Sequence, residues 1–221
     1  MSFSATEENY IKAIFHLQEG DGNGNVSTNA LAAELHTKAA SVTDMLKKLK
    51  TKKLLNYERY RGVRLTTEGK KLALVIVRKH RLWEFFLVNT LQFGWDEVHE
   101  VAEELEHISS RKLVEKLDIF LGHPKFDPHG DPIPDSQGKM VVQQQVNLID
   151  LPANQLAEVS SVGSQSTELL EILKHKHIGI GTRLEVRKKF SFDNSVEIKI
   201  KNQNAFTISQ QLAQALFVKP V

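Results

Sequence analysis

The chain has 221 residues, 41% of them hydrophobic and 25% charged, with 29 Lys and Arg against 27 Asp and Glu. This is an ordinary globular composition, long enough to bury a core in one large domain or in two to three small ones. The absence of cysteine excludes a disulfide scaffold, a thiolate zinc site, an iron–sulfur protein and a cysteine nucleophile.

In chain order, Thr6 to Leu17 places Tyr10, Ile11, Ile14, Phe15 and Leu17 at helical spacing, and the run Gly20 to Asn25 stops it. Ser27 then stands as an N-cap ahead of Leu31, Ala32 and Leu35. After a short break at His36 to Ala39 comes a second apolar pattern of Val42, Met45, Leu46 and Leu49. Two short helices joined by a tight turn form a helix-turn-helix unit. Leu54 to Glu58 and Val63 to Thr66 read as two strands around Arg59-Tyr60-Arg61-Gly62, which adds a wing.

From Thr66, with Thr66 or Thr67 as cap, a long helix is expected to about Leu91, followed by helices over roughly Asp96 to Ile108 and Ser110 to Leu121. These helices carry too many apolar positions to stand alone and should pack on one another or across a dimer. Between Gly122 and Gly138 the dipeptides His123-Pro124, Asp127-Pro128, Asp131-Pro132 and Ile133-Pro134 cannot continue a helix. Beyond Val146, short β-rich runs (Ala157 to Val159, Arg183 to Val186, Val196 to Ile200, Phe206 to Ile208) and one helical piece near Thr167 to Lys174 read as a small barrel. The fold class is therefore mainly α with small β parts. The longest apolar stretches, such as Leu72 to Val77, are too short to span a bilayer, and Glu7 and Glu8 occupy the start in place of a basic segment; a soluble, cytoplasmic protein without membrane partners is expected.

The near-neutral total hides an asymmetry. Between His36 and Lys71 there are eleven Lys or Arg against three acids, whereas Asp96 to Glu106 holds six acids and no Lys or Arg. One region suits a polyanion and the other a cation. A recognition helix enters the major groove by its N-terminal end, so Thr37, Lys38, Ala39, Ala40, Ser41, Thr43 and Asp44 are the candidates near base edges. Lys47, Lys48, Arg59, Tyr60 and Arg61, with Ser27 and Thr28 at the start of the preceding helix, are the candidates near phosphates.

In the acidic stretch, His99, Glu103, Glu106 and His107 fall within a stripe of about 100° if one helix runs through them. On the preceding helix His80 and Glu84 sit at i and i+4. Five of the nine histidines lie between His80 and His129. A single His or Glu on an amphipathic helix is usually solvated surface; six together point to a metal. Carboxylates and imidazoles without thiolate fit Mn(II), Fe(II) or Zn(II), and the wealth of oxygen leans toward Mn(II).

Taken together, Thr6 to Ile11, Arg78 to Glu84, Trp95 to His99 with Glu106-His107, and His129-Gly130-Asp131-Pro132-Ile133-Pro134 resemble the metal-dependent repressors of the diphtheria toxin repressor type, including their manganese-responsive relatives. The resemblance covers almost the whole chain. It implies a winged helix-turn-helix DNA-binding domain over 1–73, a helical dimerisation and metal-binding domain with a Pro-rich linker over 74–145, and an SH3-like (FeoA-like) domain over 146–221. It further implies a primary metal site of Asn9, Glu103, Glu106 and His107, with either Asn9 ligating through oxygen or Glu8 in its place. The implied ancillary site is His80, Glu84 and His99, joined by Asp127 and His129. Lys12 stands where the two-domain manganese regulators have a carboxylate, and Ser161 and Ser164 stand where iron-type members have third-domain ligands. The implied function is a repressor of metal homeostasis, a homodimer on double-stranded palindromic operator DNA. Its implied corepressor is Mn(II), with Fe(II) and repression of iron uptake as the alternative and Zn(II) or Co(II) as substitutes in vitro. The rival readings are a winged-helix regulator sensing an organic ligand and a metal-dependent hydrolase. The hydrolase has neither an H-E-x-x-H arrangement nor a nucleophile motif behind it, so no enzyme is expected.

Overall fold

The computed structural model describes residues 3–20, 24–58 and 61–221. These fold as two compact units. The first takes the chain up to His80, together with Leu105–Arg111 and Pro134–Lys139; the second takes Arg81–Glu104, Lys112–Ile133 and Met140–Val221.

In the first unit, α1 (Ala5–Gly20) buries Ile11, Ile14 and Phe15, as their spacing requires. Helix α2 (Thr28–Glu34) begins at Ser27, whose Oγ accepts a hydrogen bond from the Ala30 amide at 3.0 Å, the expected N-cap. The chain turns at His36, with φ of 47°, into α3 (Ala39–Thr51), which buries Val42, Leu46 and Leu49. Strands β1 (Leu55–Glu58) and β2 (Gly62–Leu65) pair antiparallel with Leu55 opposite Leu65. Gly62, at φ +91°, lies so close to the Val26 carbonyl that a Cβ there would come within 2.7 Å of it, and only glycine serves. Thr66 Oγ1 accepts from the Gly69 amide at 3.1 Å and starts α4 (Thr67–Asn89), which passes into the second unit at Arg81.

Two of the expected helices are shorter than their apolar patterns suggest. Helix α5 spans Val98–Leu105 and α6 spans Arg111–Phe120. Glu106 and His107 lie in the turn after α5, where the Ile108 amide bonds back to Leu105 O. Ser109 and Ser110, short polar residues that compete with helical bonding, follow at once. A single helix face from His99 to His107 therefore does not exist.

In the second unit, the Pro-rich segment is an ordered loop: Asp127 N–H donates to Asp131 O at 2.9 Å, and Gly130 sits at φ +88°. The rest is an antiparallel six-stranded sheet in the order β3-β8-β4-β5-β6-β7, from β3 (Val146–Asn147), β4 (Leu156–Val162), β5 (Arg183–Lys189), β6 (Val196–Ile200), β7 (Phe206–Ile208) and β8 (Leu216–Pro220). Helix α7 (Thr167–His175) and the short α8 (Gln210–Gln214) complete it. Its core is built from alternate strand residues, among them Val159, Val186, Ile198 and Val218, and Trp95 packs against it. Among the described residues no helix is long and apolar enough to cross a membrane.

Candidate metal centres and nucleic-acid interface

In the second unit, Glu84 on α4 and Asp127 and His129 on the Pro-rich loop bring one donor atom each within 4.8 Å of one another, and all three side chains are buried. Asp127 spends Oδ1 on the amides of His129 (2.8 Å) and Asp131 (3.0 Å), while Arg81 Nε stands 3.4 Å from its Oδ2. His129 Nδ1 is 3.7 Å from Glu84 Oε2, and the His129 Nε2–H donates to the Trp95 carbonyl at 2.8 Å. Arg81 also approaches Asp131 at 3.5 Å. Arg81 thus faces two carboxylates, Asp127 and Asp131, with the buried Glu84 carboxylate beside Asp127 as a third negative group. Burial, reinforced by the charges of Glu84 and Asp131, pushes the Asp127 carboxyl up to about 7 against the pull of Arg81. Asp131 is raised for the same first reason. Burial alone would lower the His129 imidazole, but its contacts with Glu84 outweigh that and raise it. Carboxylates driven toward protonation, with an imidazole among them, are a donor set short of positive charge, and a dication fits it.

His99, expected in the same site, lies on the other oxygen of Glu84, Nδ1 to Oε1 at 3.2 Å, and its Nε2 is 3.5 Å from Glu103 Oε1. Glu103 and then Glu84 hold this imidazole up, to about 9.

The first unit carries a second constellation. Glu106 is fully buried, and its Oε2 accepts from Lys12 Nζ at 2.8 Å and contacts His80 Nδ1 at 2.6 Å. Burial would raise this carboxyl, yet the His80 hydrogen bond and the Lys12 charge hold it below the usual range. Among the described residues Glu106 Oε1 has no hydrogen-bond partner, and neither has the buried Asn9 Oδ1; His107 Nε2 is 3.9 Å from the former. His107 Nδ1 meets Glu8 Oε2 at 2.8 Å, and Lys79 Nζ is 3.6 Å from the same oxygen. Glu8 therefore engages the His107 ring through Nδ1 and leaves Nε2 on the side of Glu106. Of the expected primary set, Asn9, Glu106 and His107 belong to this unit, whereas Glu103 belongs to the other, with His99. His80 likewise joins Glu106 here. Two oxygens without hydrogen bonds and one imidazole nitrogen are a donor set a metal fits, although Lys12 already brings one positive charge to it.

Lys38, Ala39, Ala40, Ser41, Asp44, Lys47 and Lys48 are exposed and Thr37 and Thr43 half-buried. Thr43 spends its hydroxyl on Ala39 O and Lys47 pairs with Asp44 at 3.1 Å. A cleft of about 710 Å³ runs between α2, α3 and the wing, lined by Ser27, Thr28, Thr43, Lys47, Lys50, Tyr57 and Gly62. Lys50 and Tyr57, which line this cleft and are joined by the Lys50 Nζ–H donating to Tyr57 O at 3.0 Å, were not among the expected residues. Lys48, by contrast, turns to the buried Glu7 at 3.1 Å, as Lys52 does at 2.6 Å. Arg61 is exposed and pairs with Glu58; Arg59 and Tyr60 lie outside the described residues.

Three family models match the chain: an iron dependent repressor N-terminal DNA binding domain over residues 2–63, an iron dependent repressor metal binding and dimerisation domain over 66–135, and a FeoA domain over 146–220. The iron-dependent repressor IdeR of Mycobacterium leprae is 29% identical over 229 residues, covering 98% of this chain and 97% of the relative. A solved manganese-dependent transcriptional repressor in complex with manganese is 32% identical, covers 97% of this chain and 100% of its own, and has a TM-score of 0.88. ScaR with bound Zn2+ is 30% identical over 97% of this chain and 99% of its own, with a TM-score of 0.79.

Proposed function

The chain belongs to the iron-dependent repressor family of the diphtheria toxin repressor type, with a FeoA-like third domain, and from that premise we propose that Mn(II) is the signal to which this metal-dependent transcriptional repressor answers. It binds a palindromic operator as a homodimer, in the cytoplasm, and catalyses no reaction.

The observation that carries this reading is the buried convergence of Glu84, Asp127 and His129 around a surplus of carboxylate. A bound dication supplies the two positive charges this set lacks. Glu84 and Asp127 offer oxygen and His129 one nitrogen, with no thiolate, which favours the harder first-row ions; similarity to a repressor solved with manganese points the same way. In the first unit, Glu106 and His107 with Asn9 would hold a further ion. Those residues join α1 to the turn after α5, and α1 packs on α2 and on strand β2 of the wing. For such donors to act as a switch they must converge better in the operator-competent arrangement than in any other, and a coupling of about 1 to 3 kcal/mol shifts operator affinity roughly 5- to 150-fold.

The test is operator binding after chelation, restored with Mn(II), Fe(II), Co(II) or Zn(II) in turn. Mn(II) is expected to restore it at the lowest free concentration, and Glu84→Gln and His107→Ala are expected to abolish the response while the melting temperature of the chelated protein stays close to wild type. Restoration by Fe(II) at lower concentration reassigns the signal. Equal operator affinity with every metal and with chelator defeats the assignment of these donors.

A further inference from the structure

His129 has two ring nitrogens, and the one that can face a cation is decided by what holds the other. Nε2 lies 2.8 Å from the Trp95 carbonyl, an acceptor only, so it carries the hydrogen and Nδ1 is turned to Glu84. The Trp95 ring stacks on His129, with centroids 5.9 Å apart and planes at 19°, and packs against the core of the C-terminal sheet. Its neighbour Asp96 receives Lys174 of α7 at 3.0 Å on both oxygens. On the other side, the Val162 amide of β4 donates to the His129 carbonyl at 3.1 Å. Gly130 lies so close to β4 that a Cβ there would come within 2.0 Å of Ser160 O. The sheet domain thus contributes none of the three donors; it meets the His129 backbone through Val162 and backs Trp95, which in turn holds the His129 ring face and its Nε2.

Resting on the reading of Glu84, Asp127 and His129 as metal donors, we propose that the C-terminal sheet domain is the positioning element of that centre, with Trp95 the positioning residue that fixes which imidazole nitrogen faces Glu84 and Asp127. Linkage makes the effect mutual: a sheet domain seated on Trp95 and His129 raises metal affinity, and metal held by the three donors tightens the seat.

The experiment uses the full chain with His107→Ala, so that the first-unit donors do not contribute. Mn(II) binding is followed by the electron paramagnetic resonance of the free ion, and the His129 ring by nitrogen NMR. Trp95→Ala keeps the carbonyl of residue 95 but removes the ring that seats it against His129 and the sheet core; with the carbonyl free to shift, Mn(II) binding is expected to weaken about 10- to 100-fold and the Nε2–H signature of His129 to weaken with it, and Trp95→Phe to recover most of the affinity. With Trp95 intact, saturating Mn(II) is expected to slow exchange of the Val162 amide about fivefold or more, an effect absent in Glu84→Gln. Unchanged Mn(II) affinity in Trp95→Ala overturns the proposal, as does Val162 exchange indifferent to bound Mn(II); should Trp95→Ala not fold, the Val162 measurement decides. Mn(II) binding that Glu84→Gln does not affect removes the donor assignment and the proposal together. Binding lost in Glu84→Gln but indifferent to Trp95 removes the proposal alone.

Discussion

Lys12 and Glu106 meet at 2.8 Å with almost no exposure on either side, so the carboxylate that a dication would use is already held by a tethered monocation. Removing the ammonium leaves a buried charge with fewer partners, while it also removes a positive charge that opposes an incoming ion. Lys12→Met is therefore expected to destabilise the chelated protein by up to about 3 kcal/mol, measured by urea unfolding. In a Glu84→Gln background, which isolates the first-unit donors, it is expected to bind Mn(II) more tightly than the parent; Lys12→Arg should resemble the parent in both. Unchanged stability and unchanged affinity together would refute the account. Glu84 was legible in the sequence from its i, i+4 spacing with His80, whereas Asp127 and His129 were implied as donors only by the family resemblance. Arg81 and Trp95 were neither, since an arginine and a tryptophan on a helical domain read as surface and core until the loop they hold is in place.

The same contrast holds for elements. Helices α2 and α3, the wing and α4 follow from capping residues and apolar periodicity, and the structure has them where those signals fall. The apolar period runs past Leu105 and predicts a helix through Glu106 and His107, but the chain turns there ahead of Ser109-Ser110, a break that carries less weight in a pattern than in a chain that must turn. Strand β8 and helix α8 escaped notice for a simpler reason: five residues each, one ending in Pro220, are too few to show a period. Where a short helix does depend on its cap, the dependence can be measured. Seven-residue α2 has Ser27 Oγ on the Ala30 amide, and Ser27→Ala is expected to lower stability by about 1 kcal/mol, seen as an earlier thermal transition, with Ser27→Asp close to wild type. A transition that does not move would mean solvent caps the helix as well.

Charge is the property of the whole molecule most plainly written in the sequence, since the basic run from His36 to Lys71 lies wholly in the first unit, on α3, the wing and the start of α4. Lys47, exposed and paired with the exposed Asp44, lines the cleft between α2, α3 and the wing, and is expected to meet a phosphate. Lys47→Ala should weaken operator binding and reduce the slope of log affinity against log salt by about 1; an unchanged slope would place this residue off the backbone. What no arrangement of charge along the chain could foretell is the convergence of α4 with a loop more than forty residues further on, which is tertiary by nature. That convergence uses only carboxylates and imidazole, from a chain without a single cysteine. Such groups do not climb the oxidation ladder of sulfur, so disulfide formation and sulfenic-acid or sulfoxide chemistry have no purchase on these three side chains.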